Sequence, residues 1–560
     1  MSESEHRMIE ILRILSQQDK PTGSKLIADE LKEKGFNLGE RAVRYHMQIL
    51  DEKGYTERKG YSGRVITALG REKLEKGLIY DQVDFIYSKF EEMIYLTDFN
   101  YITQEGNVVV NTSTVYNENS TNILKEIIES GLSVSPYVNI KDTKSEGKIE
   151  VTTLCGTTID GILLNEGISS QPQYGGLLKI EDSQPVRFND LISYKKTSLT
   201  PLDAFSSPKR TSIHDVITTG DGIIPANFRL IPGVGKEKTV EILKKLDSIG
   251  IGGVLGVSDE GKDILGIPVP DGMVGIAVVG GLTPFCALQE AGEAIDIKIA
   301  EEICDFRTLK PITGQIKSQL KPVEHDIQPK IPFLLSKSWN LIQQVNFDVE
   351  KRKGNIVSNI SYLKREDIDY ALSIMEDTYN DNPKYINPYY KLVKHPVDDE
   401  KIGIATICSL SIDGILINNG IMSNPKYGGL LELTEPPLFI ELISYNGSTV
   451  DPHKIFLSKN MTSISTESSP SKILASFKEI PYIARDYAVE LLDTLNKIGF
   501  SIYKIGKPRE VTYNAKAENY NFGVVAGSGL NSIGAVREKG IDIEVKAIEK
   551  LVPFEKMDRL

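Results

Sequence analysis

The residues with the clearest chemical potential lie in a stretch that occurs twice, here called the IDGIL motif. Residues 155–178 read CGTTIDGILLNEGISSQPQYGGLL and residues 408–431 read CSLSIDGILINNGIMSNPKYGGLL, with 16 of 24 positions identical. A thiol can act as a nucleophile, a carboxylate as an acid or base, and amides beside glycines can bind an anion. The candidate ligand-binding residues of the motif are Cys155, Asp160, Asn165, Tyr174, Gly175, Gly176, Cys408, Asp413, Asn418, Tyr427, Gly428 and Gly429.

Each of these residues also has a purely structural explanation. Asp-Gly between apolar residues is typical of a β-hairpin turn, which Asp160 and Asp413 could form. The glycines of Tyr-Gly-Gly predict either a tight turn or a close approach of the backbone to another group. Cys155 and Cys408 follow β-like runs, where a small buried side chain is the commonest role of cysteine. No histidine recurs between the copies, which disfavours a cysteine hydrolase.

A second recurring pattern is a strand, a glycine turn and a helix. In the first copy an apolar run, 276–279, leads into Gly280 and Gly281. Thr283 then occupies the expected N-cap and Pro284 the first helical position. Free N–H groups at such a turn suit a carboxylate or phosphate, although a plain close-packed turn gives the same pattern. It has neither the Rossmann nor the P-loop signature. The counterparts in the second copy are Gly529 and Asn531.

The similarity extends well beyond the motif and indicates a duplicated domain. The sequence LISY at 191–194 recurs at 442–445, and the period of about 250 residues is far longer than that of a solenoid. Apolar β-rich runs alternate with amphipathic helical patterns, so each repeat belongs to the mixed α/β (α+β) class. The predicted boundaries are 77–310 for the first repeat, 311–332 for a proline-rich linker and 333–560 for the second repeat.

Residues 1–76 have the pattern of a winged helix-turn-helix. Three short helical patterns precede the sequence TERKGYSGRVITAL at 56–69, which predicts a basic hairpin. In that fold the last of the three helices enters the major groove of DNA and the hairpin contacts phosphates. The alternatives are a winged helix used for protein contacts and a solvated helix face. The candidate DNA-binding residues are Arg41, Arg44, Tyr45, Gln48, Arg58, Lys59 and Arg64.

A helical stripe follows the hairpin. It consists of Ile79, Val83, Ile86, Phe90 and Met93 at helical spacing. The stripe predicts a helix that either bridges the N-terminal domain and the first repeat or forms a dimer contact. We favour packing within its own chain.

Charge and composition restrict the function classes. The 560-residue chain is 40% hydrophobic with a net charge of −12, whereas residues 1–80 carry 15 Lys and Arg against 13 Asp and Glu. Contact with a polyanion is therefore expected at the N-terminus. The first residues lack a signal-peptide core, and four cysteines without a CxxC pair fit a reducing cytoplasm. No His/Cys cluster has metal-ligand spacing, so no metal is expected.

A winged helix followed by two copies of IDGIL(L/I)NxGI…PxYGG resembles the archaeal nitrogen regulatory repressor family NrpR, over nearly the whole chain. The resemblance implies a cytoplasmic, homodimeric, non-enzymatic repressor of nitrogen-assimilation genes that binds palindromic operator DNA. It also implies 2-oxoglutarate as the effector, which lowers operator affinity, and no cofactor. A dicarboxylate needs converging N–H donors or cations, and the sequence has no obvious repeated arginine.

Two other functions stay open from the residues alone. An enzyme acting on a small keto acid could be fused to the DNA-binding domain, although no base–nucleophile pair is repeated. A redox-sensing regulator would instead use Cys155 and Cys408.

Overall fold

The computed structural model describes the chain except for residues 1–2, 17, 19, 34–37, 61, 76–78, 117–118, 143–147, 207–209, 294, 314–319, 324–329, 465–469, 509 and 519. The chain divides into two compact units. One contains Met1–Gln82, Ser338–Leu442 and Met461–Leu560, and the other contains Val83–Lys337 and Ile443–Asn460. Among the described helices, none is long and apolar enough to cross a bilayer.

The N-terminal domain is a winged helix. One apolar residue from each of its first three helices, Ile11, Leu31 and Met47, is fully buried in a common core. Gly63 has a φ of +123°, and a side chain there would overlap the backbone of Thr22, so the hairpin needs glycine at this point. The elements are α1 (Glu3–Ser16), α2 (Ser24–Glu33), α3 (Glu40–Glu52), β1 (Thr56–Arg58), β2 (Arg64–Ile66) and α4 (Ala68–Glu75).

Helix α5 (Ile79–Leu96) follows the winged helix in the chain. Phe90 and Met93 are buried in a cluster with Cys155 and Tyr194. The rings of Phe90 and Tyr194 meet edge to face with 4.8 Å between their centroids. This part of the stripe therefore packs within its own chain. The predicted stripe residues whose side chains lie outside the described part are Ile79 and Val83.

The first repeat consists of two five-stranded antiparallel sheets with helices between their strands. Its strands are β3 (Asn107–Val115), β4 (Tyr137–Asp142), β5 (Ile149–Leu154), β6 (Gln171–Glu181), β7 (Gln184–Ser193), β8 (Gly222–Pro232), β9 (Val254–Val257), β10 (Met273–Val279), β11 (Ile295–Asp305) and β12 (Lys310–Pro311). Its helices are α6 (Asn119–Glu129), α7 (Thr157–Asn165), α8 (Pro201–Phe205), α9 (Ile213–Thr219), α10 (Lys236–Ser248) and α11 (Thr283–Glu290). The strand orders are β7-β6-β8-β10-β9 and β11-β3-β5-β4-β12.

Helix α7 carries the chain from one sheet to the other. It begins just after β5 and leads into β6 of the second sheet. A side chain on Gly161, in the middle of the helix, would overlap Thr97, so the glycine permits close packing. Every residue from Thr157 to Leu163 is buried, which favours a helix over an exposed turn. The hairpin turn considered for Asp160 is therefore wrong, and so is that for Asp413 in the second repeat.

The second repeat has the same plan. Its strands are β13 (Asn355–Lys364), β14 (Tyr389–Lys394), β15 (Lys401–Ile407), β16 (Asn424–Glu432), β17 (Leu438–Ser444), β18 (Lys472–Pro481), β19 (Ile502–Ile505), β20 (Val511–Thr512), β21 (Ala515–Lys516), β22 (Asn521–Gly527), β23 (Glu544–Pro553) and β24 (Asp558–Arg559). Its helices are α12 (Leu334–Ile342), α13 (Ile368–Asp381), α14 (Leu410–Asn418), α15 (Pro452–Ser458), α16 (Arg485–Ile498) and α17 (Asn531–Glu538). The strand orders are β17-β16-β18-β22-β19 and β23-β13-β15-β14-β24, with β20 and β21 paired apart.

The Tyr-Gly-Gly glycines lie inside strands β6 and β16 and not at turns. A substituent on Gly175 would meet Pro201 at 2.7 Å, and one on Gly429 would meet Phe439 at 2.6 Å. The close approach of the backbone is therefore the correct interpretation of these glycines, and the tight turn is wrong.

Residues 443–460 belong to the second repeat in sequence but complete the unit built around the first. The N–H of Leu191 donates to Thr449 Oγ1 at 2.7 Å. Lys459 Nζ lies 2.9 Å from Asp203 Oδ1. Strand-like pairing and a partly buried ion pair thus fix this segment to the first repeat.

Candidate ligand-binding clusters and DNA interface

Cys155 lies between the end of β5 and the first turn of α7. It is buried, and its Sγ is 3.3 Å from Thr157 Oγ1. Burial raises the pKa of the Cys155 thiol above its ordinary value, which opposes formation of a thiolate. A thiol in this state is a poor nucleophile, so its position fits packing better than catalysis or redox sensing.

Asp160 lies on the same helix and forms a buried ion pair with a residue outside the motif. Arg229 Nη1, from the middle of β8, is 3.2 Å from Asp160 Oδ2. The hydroxyl of Ser170 donates to the other carboxylate oxygen. Burial raises the pKa of Asp160, whereas the guanidinium and the Ser170 hydroxyl favour its ionised form. We call these residues, with Asn227 and Gly156, the first cluster.

Donors of the first cluster converge at the start of α7. Arg229 Nη1 also donates to the carbonyl of Gly156 at 3.1 Å, but the buried Nε–H of Arg229 has no hydrogen-bond partner among the described residues. Tyr194 donates its hydroxyl to Asn227 Oδ1 at 2.6 Å. A methyl group on Gly156 would lie 3.5 Å from Arg229 Nη2 and 3.8 Å from Asn227 Nδ2. A guanidinium, an amide and a helix N-terminus at one point suit a carboxylate.

The second cluster is the equivalent of the first in the second repeat. Asp413 is buried on α14 and accepts a hydrogen bond from Ser423 Oγ at 2.7 Å. Its other oxygen forms an ion pair with Lys478 Nζ, and both side chains are 0% exposed. Ser476 donates to the carbonyl of Ala526 at 3.3 Å. The pair of buried charges is thus preserved in both repeats, with lysine in place of arginine.

The glycine turns approach the IDGIL motifs, as their joint recurrence suggests. A substituent on Gly281 would lie 3.4 Å from the Cα of Cys155, and one on Gly529 would overlap the carbonyl of Ile407. Gly280 is held by an N–H bond of 2.8 Å to Pro225. The turns therefore pack tightly against the ends of β5 and β15.

The predicted N-caps of the following helices are displaced by one residue. Leu282 and Leu530 occupy the N-cap positions, and Thr283 and Asn531 begin the helices. The Thr283 hydroxyl donates to Gly280 at 2.8 Å. The Asn531 side chain is likewise engaged: it accepts from the N–H of Leu474 at 2.7 Å and donates to its carbonyl at 3.0 Å. These side chains tie the glycine turn to its neighbours and have less capacity for a ligand.

The asparagines of the motif also bond to the backbone. Asn165 Nδ2 donates to the carbonyl of Thr97 at 2.8 Å, and Asn418 Nδ2 donates to that of Val345. Each amide anchors the end of its helix to the chain segment before the repeat's first strand. The structure does not bring the amides to the ion pairs. The remaining predicted residues of the motif lie within strands β6 and β16. They are Tyr174, Gly175, Gly176, Tyr427, Gly428 and Gly429.

The predicted recognition helix presents its polar face to solvent. Arg41, Arg44, Tyr45 and Gln48 are all exposed on α3, and Tyr45 is 61% exposed. Arg44 Nη2 is 2.5 Å from Glu40 Oε1, and Ser24 Oγ donates to the same carboxylate oxygen at 3.0 Å. Side chains of this kind at the start of a recognition helix can reach base edges.

The three wing residues differ in their availability. Arg58 Nε donates to Gly60 at 3.1 Å and Lys59 Nζ is 2.6 Å from Glu57, and both side chains are exposed. Arg64 turns inward, and its Nε donates to Asp51 Oδ2 at 2.7 Å. Its geometry favours a brace between the wing and α3 over a phosphate contact.

Two known protein families match the chain, in segments that together cover most of it. The Ribonuclease R winged-helix domain matches residues 9–74. The family of NrpR regulatory domains NRD1 and 2 matches residues 83–311 and residues 331–559. This chain belongs to the NrpR family. Its N-terminal segment is a winged helix, and its two repeats are NrpR regulatory domains.

Similar proteins from three archaea carry the name NrpR or NrpRI. The global nitrogen regulator NrpR of Methanococcus maripaludis is 36% identical over 556 residues, which are 98% of this chain and 98% of that protein. That of Methanocaldococcus jannaschii is 35% identical over 560 residues, 99% of this chain and 98% of its own length. The global nitrogen regulator NrpRI of Methanosarcina mazei is 41% identical over 317 residues, 55% of this chain and 98% of that protein. A crystal structure of a nitrogen repressor-like protein from Methanococcus jannaschii, 30% identical, covers 41% of this chain and 99% of its own, with a TM-score of 0.37.

The cation is the part of both NrpR clusters that the motif did not contain. Arg229 and Lys478 occupy equivalent positions in ANFRLIP at 226–232 and ASFKEIP at 475–481. A basic residue two places before the recurring Ile-Pro was a visible signal. A comparison of residue types does not detect this signal, because only the charge recurs between the repeats.

Proposed function

We propose that this protein is a DNA-binding transcriptional repressor of nitrogen-assimilation genes whose operator affinity falls when 2-oxoglutarate binds. Its relatives' names support the nitrogen role, and the exposed polar face of α3 supports the contact with operator DNA. The buried Arg229, whose Nε–H has no hydrogen-bond partner among the described residues, is the observation that carries the effector site. The active species is a cytoplasmic homodimer.

The geometry of the winged helix supports the proposed DNA contact. Helix α3 enters the major groove, where Arg41 and Arg44 reach base edges and Tyr45 and Gln48 add contacts. Glu40 holds the Arg44 guanidinium in the free protein and is displaced when that guanidinium meets a base. The two winged helices of a dimer match a palindromic operator because its half-sites lie about one DNA turn, or a multiple of it, apart.

The donors of the first cluster support the proposed effector contact. A carboxylate of 2-oxoglutarate accepts N–H bonds from Arg229 and Asn227 at the start of α7. Charge-assisted bonds of this kind are stronger than neutral ones, and the buried setting limits competition from water. The ion pair with Asp160 keeps the guanidinium oriented before the ligand arrives.

Release from DNA requires that the effector bind more tightly to a conformation in which the spacing of the two winged helices does not match the half-sites. Each tenfold loss of operator affinity needs about 1.4 kcal/mol of such preference. Small movements suffice to weaken operator binding, because the half-site spacing tolerates little rotation of one winged helix against the other.

A binding titration tests the proposal. An operator duplex is selected by the protein from random DNA, and its affinity is measured by fluorescence anisotropy. We expect binding to weaken with salt, as for any protein that neutralises phosphates. The variant Arg44→Ala should lose about 1–3 kcal/mol of operator affinity, the usual contribution of a good arginine–base contact.

The matched control is Lys245→Ala, which removes a positive charge from α10 that already pairs with Glu241 at 2.6 Å. Its operator affinity should equal that of the parent. Failure to select any DNA would instead favour the winged helix as a protein-contact module. Operator affinity that saturating 2-oxoglutarate leaves unchanged would rule out the effector part alone.

A further inference from the structure

Three side chains around the start of the motif helix differ between the repeats, although the motif itself is nearly identical. The differing pairs, first repeat then second, are Gly156 and Ser409, Asn227 and Ser476, and Arg229 and Lys478. In each pair the second repeat has either less donor capacity or less room. The two clusters therefore differ in the capacity that a ligand requires.

The first cluster retains unused donors. A guanidinium has five N–H donors. Nη1 of Arg229 contacts Gly156 and Asp160, whereas its buried Nε–H has no hydrogen-bond partner among the described residues. Asn227 Oδ1 accepts from Tyr194, which turns the Nδ2 group of the same amide toward the space beside Gly156. A Cβ at position 156 would already lie in van der Waals contact with Arg229 Nη2 and Asn227 Nδ2, so a longer side chain there would approach both groups.

The second cluster has its donors satisfied internally. Lys478 is fully buried against Asp413, so its charge is neutralised where it lies. The Ser476 hydroxyl donates to the backbone of Ala526. Ser409 adds a buried side chain at the position where the first repeat has glycine. At the positions of Asn227 and Gly156 a carboxylate would therefore meet a serine hydroxyl that is already bonded and a side chain in place of a hydrogen atom.

The first cluster is also the one in contact with α5, the helix that follows the winged helix in the chain. Tyr194, which binds Asn227, packs its ring on Phe90, and Met93 belongs to the same buried cluster. A ligand that draws the Asn227 amide toward itself therefore acts on the packing of α5.

We propose that a carboxylate effector binds to the first repeat only, so that each chain takes up one molecule. The second repeat is an internally neutralised copy whose lysine–aspartate pair serves the fold. This inference rests on the proposed function for the identity of the effector, 2-oxoglutarate.

Calorimetric titration of 2-oxoglutarate into the full chain tests the inference. We expect one molecule per chain. The variant Gly156→Ser, which introduces the residue of the second repeat, should weaken binding by about tenfold or more because it fills the space beside two donors. Its backbone, at φ −59° and ψ −21°, accepts any residue, and an unchanged melting temperature will confirm the fold. The variant Asn227→Ser provides a second, independent loss of a donor.

The matched control is Ser409→Gly, which opens the same position in the second repeat. It should leave one molecule per chain with unchanged affinity, because Lys478 stays paired with Asp413. Binding of two molecules per chain would overturn the inference and leave the proposed function intact. So would equal losses of 2-oxoglutarate affinity in Gly156→Ser and in variants of Lys478 that retain the fold. Absence of binding to the parent protein, in calorimetry and in thermal-shift measurements, would overturn the effector part of the proposed function and the inference with it.

Discussion

The first and second clusters share the same arrangement but differ in their cation, which is Arg229 in the first and Lys478 in the second. In each, an aspartate in the motif helix meets a positive charge from the neighbouring strand and a hydroxyl ten residues further along the chain. The Arg229 side chain is 3% exposed and its Nε–H is unpaired among the described residues, whereas the Lys478 side chain is 0% exposed. Both copies therefore keep the buried charge pair, and the cation of the first cluster has a buried donor without a partner among the described residues.

The physics of buried charge explains why the pair persists in both copies. Replacing a buried pair with apolar residues can be neutral, but removing one partner leaves an uncompensated charge and is strongly destabilising. Single substitutions in either copy are therefore resisted whether or not that copy binds a ligand. Exchange of arginine for lysine preserves the charge and changes only the number and geometry of donors.

The largest expected effect comes from breaking the second pair. Lys478→Met leaves Asp413 buried without a partner and should lower the free energy of unfolding by about 3–5 kcal/mol. Trp339, the single tryptophan of the chain, lies in α12 and reports the unfolding of this region by fluorescence in urea. The surface variant Lys245→Met should leave the transition in place. An unshifted transition for Lys478→Met would show that the pair does not hold the second repeat.

Replacing the glycine that both motif helices contain should have a smaller effect on stability, of the same size in the two repeats. A methyl group at Gly161 would overlap Thr97, and one at Gly414 would overlap Val345. Gly161→Ala and Gly414→Ala should each cost about 1–3 kcal/mol by overpacking. Urea unfolding of the two variants measures this. A large cost in one repeat and none in the other would show that the shared plan extends less far than the sequence identity.

The smallest effect is expected from the cysteines, which both repeats contain at the same position. Cys155 and Cys408 are each 5% exposed, and burial raises the pKa of the Cys155 thiol, which disfavours its reactive thiolate form. Cys155→Ser and Cys408→Ser should leave the response to 2-oxoglutarate unchanged, and iodoacetamide should not modify either thiol in the native protein. Loss of regulation in either serine variant would restore the redox-sensing interpretation.

The sequence predicted best where local pattern and tertiary structure agree. Apolar positions at helical spacing followed by a basic hairpin specify the winged helix, because each of its elements buries the face that its own periodicity marks. The duplication likewise required only the comparison of one half of the chain with the other. Gly63, which lies in the predicted hairpin, has the positive φ that such a turn needs.

The sequence predicted less well where burial overrides local preference. Asp160 and Gly161 have the composition of a turn, yet the carboxylate is neutralised by Arg229 and the glycine admits Thr97, so a helix is stable there. Arg229 itself lies 69 positions after Asp160, and no local pattern joins an aspartate to a cation at that separation. Side-chain availability, such as the inward turn of Arg64, depends on tertiary contacts that periodicity does not encode.

We propose that the donors of Arg229 couple 2-oxoglutarate binding to the release of operator DNA. The most direct test is an operator titration of the parent protein and of Arg229→Lys, each with and without saturating 2-oxoglutarate. Lysine keeps the charge beside Asp160 but lacks the planar fork of donors. We predict equal operator affinities without effector, and a fall of at least about tenfold on adding effector, equivalent to about 1.4 kcal/mol, for the parent only. If 2-oxoglutarate lowered the operator affinity of Arg229→Lys as much as that of the parent, Arg229 would not be the residue that couples the effector to DNA release.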